Sequence, residues 1–281
     1  MRRNRLRELL DSGEPTIGTR MLTPWPTMIE LIGHSGMFDY VEFCAEYAPY
    51  DHTLLENMGR AIELFDHMSG MIKIEQESRA HTACRALGGG FQSVLFADPR
   101  NVAEVEQCVQ SVRTERPQSK GLQGVNMHRA CLLEGGSESW ADAMDRVVIA
   151  IMIEKQPALD NLEDMLSVPG VDMVQFGPAD FANSIGLTGQ FTHPRVKEAE
   201  QFVIAMAAKK GVAVRAELNE PAGFEPYLDQ GIKHFSLGID IRTLFSWFCE
   251  AGSKLHQALG TTPPGQSQES ETSYGNQLPR R

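Results

Sequence analysis

The stretch that decides the fold runs from Val148 to Asp180 and reads VIAIMIEKQPALDNLEDMLSVPGVDMVQFGPAD. An apolar run ends in a carboxylate at Glu154, a helical pattern follows, and a second apolar run ends at Gly177, just before Asp180. This order predicts a strand, a helix and a second strand. Parallel strands of an α/β protein end on one rim, which is where active sites lie. We therefore expect both acids on that rim.

The same alternation of apolar runs and helical patterns continues through most of the chain. With the two runs above, it predicts eight strands, at residues 16–22, 38–44, 71–74, 92–96, 148–154, 171–176, 212–216 and 234–238. Eight strands alternating with helices predict an α/β fold of the (β/α)₈ type, the TIM barrel. We expect an amino-terminal helix within residues 1–15, the barrel over 16–259, and a disordered tail over 260–281, which has few apolar groups.

Three segments depart from simple alternation. Residues 116–144 are rich in glycine and predict a long loop, which is usually functional or an insertion. The triple glycine at 88–90 predicts the end of a helix. Helices are predicted over 157–166 and 220–229, and a last one over 239–258.

Composition limits the classes of function. The 281 residues are 42% hydrophobic and 22% charged, as in an ordinary globular domain. A formal net charge of −11 argues against a nucleic-acid surface. No apolar run reaches the roughly 18–20 residues that span a bilayer, and the basic start lacks the apolar segment of a secretory signal. Five scattered cysteines without a C-x-x-C pair indicate reduced thiols. We expect a cytoplasmic protein with neither nucleic-acid nor membrane partners.

The two acids at the predicted rim suggest a metal site. Hard oxygen donors side by side suit Mg²⁺ or Mn²⁺, or another divalent ion, with open positions for water and substrate. Each acid also has a structural alternative. Glu154 could form a salt bridge with Lys155 or with an arginine across the rim. Asp180 could be the N-cap of a helix that starts at Phe181, because aspartate is a preferred cap.

Two motifs carry a resemblance to a known family. Ile153-Glu154 and the segment VPGVDMVQFGPADFANSIGLTGQFTHP (168–194) resemble the metal-binding half of the HpcH/HpaI aldolases, and the similarity extends from about residue 16 to about residue 259. Those enzymes are class II aldolases with a TIM barrel of the phosphoenolpyruvate/pyruvate-binding type. The resemblance implies that Glu154 and Asp180 ligate the metal. It also implies that backbone N–H groups around Ala179 and Asp180, after Gly177, hold the pyruvate carboxylate.

Several positions depart from the family's pattern. The family segment D-x-E-H-A-P corresponds here to CAEYAP (44–49), which retains Glu46 but has Tyr47 in place of the histidine that acts as acid/base. In the family that glutamate supports water at the metal. A phenol, with a pKa near 10, is a poor base and a usable proton donor. Tyr47 could equally be a packing aromatic with its hydroxyl at the surface. Met152 stands where the family often has glutamine.

Basic residues at two predicted strand ends suggest an anionic substrate. Lys73 stands where the family has an arginine that grips the keto-acid oxygens, and it supplies charge without a planar fork. It could instead pair with Glu75 or Glu77. Arg20 stands where the family usually has an apolar or aromatic residue. We hypothesise that Arg20 and Lys73 together bind a dianionic substrate, which would fail if Arg20→Ala left substrate affinity intact. Arg129 matches an R-A pair of the family and could contact substrate or form a structural ion pair.

The resemblance implies an enzyme acting on a small keto acid. The expected reaction is the reversible, metal-dependent aldol cleavage of a 2-keto-4-hydroxy acid through a pyruvate-type enolate. Two alternatives stay open: other enolate chemistry on the same metal, such as a citrate-synthase-like condensation or a decarboxylation, and a non-catalytic keto-acid-binding protein. In the family the last helix packs on a neighbouring subunit, which implies a homo-oligomer, with the hexamer as the usual form.

Overall fold

Eight parallel strands close into a barrel in chain order, each pairing with its neighbours in the sequence. The computed structural model describes residues 2–265. The strands are β1 (Thr16–Met21), β2 (Tyr40–Cys44), β3 (Ser69–Ile74), β4 (Ser93–Phe96), β5 (Val148–Ile153), β6 (Met173–Phe176), β7 (Ala213–Leu218) and β8 (His234–Ile239). The predicted (β/α)₈ barrel is confirmed.

Helices follow the strands. They are α1 (Arg5–Ser12), α2 (Pro26–Ser35), α3 (His52–Ile62), α4 (Arg79–Gly89), α5 (Val102–Val112), α6 (Glu138–Asp145), α7 (Gln156–Asp160), α8 (Leu162–Met165), α9 (Pro178–Ser184), α10 (Pro194–Lys210), α11 (Glu225–Leu228) and α12 (Asp240–Leu259). Every residue of β3 and β5 is buried. The β5 strand accordingly is a continuous apolar run, as parallel strands covered on both faces are, whereas β3 also buries Ser69 and Lys73.

Helix α1 closes the end of the barrel at which the strands begin. Its Leu6 is fully buried, and the Leu6 N–H donates to Ser69 Oγ at 3.1 Å, at the start of β3. Arg7 binds both carboxylate oxygens of Asp172, just before β6, at 2.7 and 2.5 Å. These contacts fill the end of the barrel at which the strands begin, which we call the floor. The opposite rim, where the strands end, remains open to ligands.

Two predicted helices were wrong, and two other segments agree with the prediction but differ in their boundaries. The helix expected over 157–166 is two short helices, α7 and α8, that meet at Asn161. The helix expected over 220–229 is reduced to α11, and the loop expected over 116–144 contains α6 and a short 3₁₀ turn, Arg129–Cys131. Helix α4 continues through Gly88 and Gly89 and ends at Gly90, whose φ is 123°. A Cβ on Gly59 would lie 1.9 Å from the Gly89 carbonyl oxygen, so glycine there lets α3 pack tightly on α4.

Contacts divide the chain into two units, Met1–Ile239 and Asp240–Arg281. In the second unit, α12 carries large apolar side chains that are exposed, among them Phe245, Trp247 and Phe248. The predicted disordered tail lies outside the described residues from position 266 onward. Within residues 2–265, no helix combines the length and apolar character needed to cross a membrane.

Candidate active site

The predicted site residues lie where the strands end. Lys73 is the last residue but one of β3, and Glu154 directly follows β5. Asp180 lies in the first turn of α9, which starts one residue after Gly177 at the end of β6. Proline at the first helical position fixes where α9 begins. Because all strands are parallel, these positions share one rim.

Glu154 is the most unusual carboxylate on this rim. Its side chain is only 3% exposed, and its Oε1 accepts a hydrogen bond of 2.8 Å from the backbone N–H of Asp98. Within the described residues, no ion pair joins it to a lysine or arginine. Burial raises the pKa of Glu154 to about 7; Lys73 opposes the rise, and the nearby charges of Glu46 and Asp180 add to it. The alternative of a salt bridge to Lys155 was wrong.

Gly177 provides the space that Glu154 occupies. A Cβ on Gly177 would lie 2.8 Å from Glu154 Cβ and 2.9 Å from Glu154 Oε2. Its φ of −106° suits any residue, so the requirement for glycine here comes from space. Met152 lines the same space, since its Cε would lie 3.1 Å from that Cβ.

Asp180, rather than Glu154, binds the ammonium of Lys155. Lys155 Nζ donates to Asp180 Oδ1 at 3.1 Å. Asp180 does not cap α9: Gly177 occupies the N-cap position and makes no side-chain cap bond, so the N-cap alternative was wrong. The carboxylate lies in the first turn, where the helix dipole favours negative charge. Ala179 is exposed in the same turn.

Lys73, Glu46 and Tyr47 form one cluster. Lys73 is 6% exposed, makes an ion pair with Glu46 and donates to Tyr47 Oη at 3.3 Å. Glu46 therefore takes the place of the expected partners Glu75 and Glu77. Burial alone would lower the pKa of Lys73, but Glu154 and Glu46 outweigh it and raise that pKa above its ordinary value.

Tyr47 keeps its proton over the neutral range. Burial raises the pKa of Tyr47 to about 12, with Lys73 opposing. The side chain is nevertheless 60% exposed, and its hydroxyl points to Lys73. The cluster thus presents a fixed ammonium and a neutral phenol beside Glu154.

Arg20 is held by a residue that the sequence interpretation missed. Its Nη1 lies 2.5 Å from Glu217 Oε1, and its Nε donates to the Gly238 carbonyl at 3.2 Å. Gln175 Nε2 donates to the other oxygen of Glu217 at 2.8 Å. The signal for Glu217 was available, because charged side chains interrupt the otherwise apolar strand β7, AVRAEL. Asp98 was also missed, although it follows β4 as Glu154 follows β5.

Arg129 lies elsewhere. Its guanidinium binds Glu63 at 2.9 Å and donates to the Gly89 carbonyl at 3.1 Å. Glu63 and Gly89 lie at the carboxyl ends of α3 and α4, and helices that return along the barrel end near its floor. The structure therefore gives Arg129 the structural ion pair, at the end opposite to Glu154.

Carboxylates outnumber cationic side chains among the charged residues of this rim. Four carboxylates (Glu46, Glu154, Asp180 and Glu217) face three cationic side chains (Arg20, Lys73 and Lys155). The described residues contain no cluster of three or more histidine, cysteine, aspartate or glutamate side chains able to hold a metal. A cation here would have two protein carboxylates, with water and substrate in its other positions, as is usual for Mg²⁺.

Comparisons with known proteins agree with the barrel fold and identify a family. The HpcH/HpaI aldolase/citrate lyase family matches residues 26–246. A 5-keto-4-deoxy-D-glucarate aldolase of Klebsiella pneumoniae subsp. pneumoniae is 28% identical over 239 residues, covering 85% of this chain and 91% of the relative. An HpcH/HpaI aldolase/citrate lyase family protein from Burkholderia cenocepacia J2315 has a TM-score of 0.81 at 27% identity, covering 92% of this chain and 100% of that one. The citrate synthase SbnG shares the fold, with a TM-score of 0.80 at 22% identity over 91% of this chain and 99% of its own.

Proposed function

The chain belongs to the HpcH/HpaI aldolase/citrate lyase family, and from that premise we propose a divalent-metal-dependent aldolase acting on a 2-keto-4-hydroxy acid through a pyruvate-type enolate. The observation that supports this most is Glu154, a buried carboxylate at the rim with no cationic partner among the described residues. A bare buried charge is unfavourable, whereas a metal ligand needs that charge.

Glu154 and Asp180 would hold Mg²⁺ or Mn²⁺. When bound, the cation supplies Lewis-acid stabilisation of the enolate. The backbone N–H groups of Ala179 and Asp180, in the first turn of α9, would bind the keto-acid carboxylate. Gly177 keeps the space beside Glu154 open.

Lys73 would offset the negative charge of the enolate, and Tyr47 would donate a proton. Lys73 is held as an ammonium by Glu46 and Glu154, so it offsets negative charge on the enolate and is unsuited to Schiff-base formation. In cleavage, the 4-hydroxyl proton would pass to water and the C3–C4 bond would break to give the aldehyde and the enolate. Tyr47, which keeps its proton and is 60% exposed, would protonate the enolate carbon and regain a proton from water. Glu46 fixes the ammonium of Lys73.

The similarity to a 5-keto-4-deoxy-D-glucarate aldolase favours a sugar-derived keto acid as substrate. A second candidate is another reaction of the same enolate, either condensation or decarboxylation. It is favoured by Tyr47 and Lys73, which replace the histidine and arginine of the family pattern and change the groups that move protons and grip the substrate.

The test begins with pyruvate alone. We expect the purified protein with Mn²⁺ to exchange the methyl protons of pyruvate for deuterium in D₂O, and EDTA to abolish the exchange. Pyruvate plus aldehydes, and separately oxaloacetate, then distinguish aldol addition from decarboxylation. If the protein binds oxalate but shows neither deuterium exchange nor turnover, we would conclude that it is a keto-acid-binding protein and not an aldolase.

We also propose a homo-oligomer in the cytoplasm, of six subunits as is usual in the family. The exposed apolar side chains of α12, including Phe245, Trp247 and Phe248, support burial against another subunit. Light scattering coupled to size-exclusion chromatography measures the subunit number, and a monomer at micromolar concentration would contradict the assembly.

A further inference from the structure

The rim carries a second polar group, formed by Arg20 on β1, Glu217 on β7 and the Gly238 carbonyl on β8. These three strands are neighbours in the closed barrel. Lys73 and Glu154 belong to β3 and β5, on the opposite side of the ring. The second group therefore faces the proposed keto-acid site across the mouth of the barrel.

Buried contacts fix the position of the Arg20–Glu217 pair. Both oxygens of Glu217 are engaged, Oε1 by Arg20 at 2.5 Å and Oε2 by Gln175 at 2.8 Å. The side-chain oxygen of Gln175 accepts from Arg215, which is 1% exposed and also pairs with Glu42. The pair is thus anchored to the interior of the barrel and is ordered before a ligand arrives.

The Arg20–Glu217 pair has no net charge, and it offers both a hydrogen-bond donor and a hydrogen-bond acceptor. The side chain of Arg20 is 10% exposed and that of Glu217 is 33% exposed, so Glu217 provides most of the surface that a ligand would meet. A carboxylate accepts and a guanidinium donates, whereas an alcohol hydroxyl does both. A ligand carboxylate would gain from Arg20 and be repelled by Glu217, so hydroxyl groups match this pair better than a second acid does.

We propose that Glu217 is a specificity-determining residue that, together with Arg20, binds the hydroxyl groups of an uncharged, hydroxylated aldehyde. This rests on the proposed aldolase function, because it assigns the partner to which the pyruvate enolate adds. It replaces the hypothesis that Arg20 binds one end of a dianionic substrate, since Glu217 already balances the charge of Arg20. It also departs from the diacid named for the 5-keto-4-deoxy-D-glucarate aldolase relative, whose aldehyde fragment would carry a carboxylate, and the comparison with glyoxylate below tests that departure.

The test measures the addition of pyruvate, in the presence of Mn²⁺, to three aldehydes. These are D-glyceraldehyde, propanal, which has the same length but no hydroxyl groups, and glyoxylate, which carries a carboxylate. Sites built to hydrogen-bond a hydroxyl strongly reject analogues that lack it. We expect wild-type kcat/KM for glyceraldehyde to exceed that for propanal by at least about 100-fold. Glu217→Gln replaces an acceptor oxygen by an NH₂ group, so the ratio should fall at least about tenfold. Glu220→Gln, exposed beyond the end of β7, is the matched control and should keep the wild-type ratio.

Three results would overturn the inference: a wild-type ratio near one, a ratio that Glu217→Gln does not change, or a wild-type preference for glyoxylate over glyceraldehyde. The wild-type ratios decide the matter even if the variant fails to fold. Deuterium exchange of pyruvate by the wild type separates the two levels. If deuterium exchange occurs but the protein does not discriminate between the aldehydes, only the proposed role of Glu217 is rejected. If no exchange occurs, both the aldolase proposal and this inference are rejected.

Discussion

Glu42 and Glu154 are buried to nearly the same degree, 1% and 3% exposed, yet their carboxylates have opposite surroundings. Glu42, inside the barrel, pairs with Arg215, and although burial would raise its pKa, Arg215 brings that pKa below the ordinary value. Glu154, at the rim, has the Asp98 N–H as its one hydrogen-bond partner within residues 2–265, and burial raises its pKa to about 7.

We interpret this as the difference between a structural carboxylate, Glu42, and the proposed metal ligand, Glu154. The charge of Glu42 is balanced within the fold, where Arg215 also donates to Tyr40 Oη at 2.7 Å. Among the described residues, Glu154 has no ion-pair partner, and this supports the proposal that it ligates a metal ion. Burial alone would not have told these two residues apart.

The largest effect is expected from Glu154→Gln. It removes a proposed metal ligand while keeping the shape of the side chain, so kcat/KM should fall at least about 10⁴-fold, about 5 kcal/mol of transition-state stabilisation. Burial raises the pKa of Glu154 despite the opposing charge of Lys73, so losing this carboxylate should not lower the free energy of unfolding of the metal-free protein. Steady-state kinetics and urea unfolding in EDTA measure the two quantities. Glu163→Gln, at an exposed ion pair with Lys209, is the control for both.

Removing the partner of Glu42 should have the contrasting result. Arg215→Met leaves the Glu42 carboxylate buried and unpaired, and we expect a loss of about 3–5 kcal/mol in the free energy of unfolding. Adding Glu42→Leu removes the stranded charge and should recover much of this loss. A single Arg215→Met variant as stable as the wild type would show that the Arg215–Glu42 pair does not stabilise the barrel.

The floor of the barrel should also give the protein a pH dependence. His234, at the start of β8, is 5% exposed and shares a 3.1 Å hydrogen bond with Thr16 Oγ1. Burial, assisted by Lys233, lowers the pKa of His234 to about 4. In the unfolded chain the imidazole of His234 takes up a proton near pH 6.5, whereas in the folded protein it stays neutral down to about pH 4. The contribution of His234 to the free energy of unfolding is therefore highest above pH 6.5 and falls as the pH drops towards 4.

That difference corresponds to about 3 kcal/mol in the free energy of unfolding. Urea unfolding at pH 7.5 and pH 4.5 measures it. Glu154, whose raised pKa of about 7 makes an opposite contribution over the same range, is common to all the proteins compared, so the effect of His234 is the difference between variant and wild type. Between pH 7.5 and pH 4.5, His234→Gln should lose about 3 kcal/mol less in the free energy of unfolding than the wild type, whereas the exposed His67→Gln should match the wild type. Equal slopes for all three proteins would exclude His234 as the cause.

The smallest effect expected is that of Gly177→Ala. The added Cβ would lie 2.8 Å from Glu154 Cβ, so Glu154 must shift, and kcat/KM should drop about tenfold. Gly124→Ala is the control, because a Cβ there meets nothing within 4 Å. Unchanged kinetics in the Gly177 variant would mean that the position of the Glu154 carboxylate is not critical.

Sequence patterns were sufficient for the barrel and for the level at which its site lies. Apolar runs of four to seven residues separated by helical periods identify strands, and a carboxylate directly after such a run must lie at the strand end. Helix boundaries were less accurate where packing decides them. Helix α4 runs through Gly88 and Gly89 despite the low helix propensity of glycine. A Cβ on Gly88 would lie 2.5 Å from His128 Cβ, and one on Gly89 would lie 3.1 Å from the Leu55 carbonyl oxygen, so packing against these residues favours glycine at both positions.

What the sequence determined by itself was the order of strands and helices and the presence of Glu154 and Asp180 at one rim, because both follow from local periodicity and from the parallel closure of the barrel. Only the tertiary structure decided which charges meet. Lys73 pairs with Glu46 rather than with Glu75, and Arg20 pairs with Glu217, about 200 residues away in the chain. Such pairings depend on which strands lie side by side in the ring and how far each side chain reaches, and a one-dimensional pattern does not contain that information.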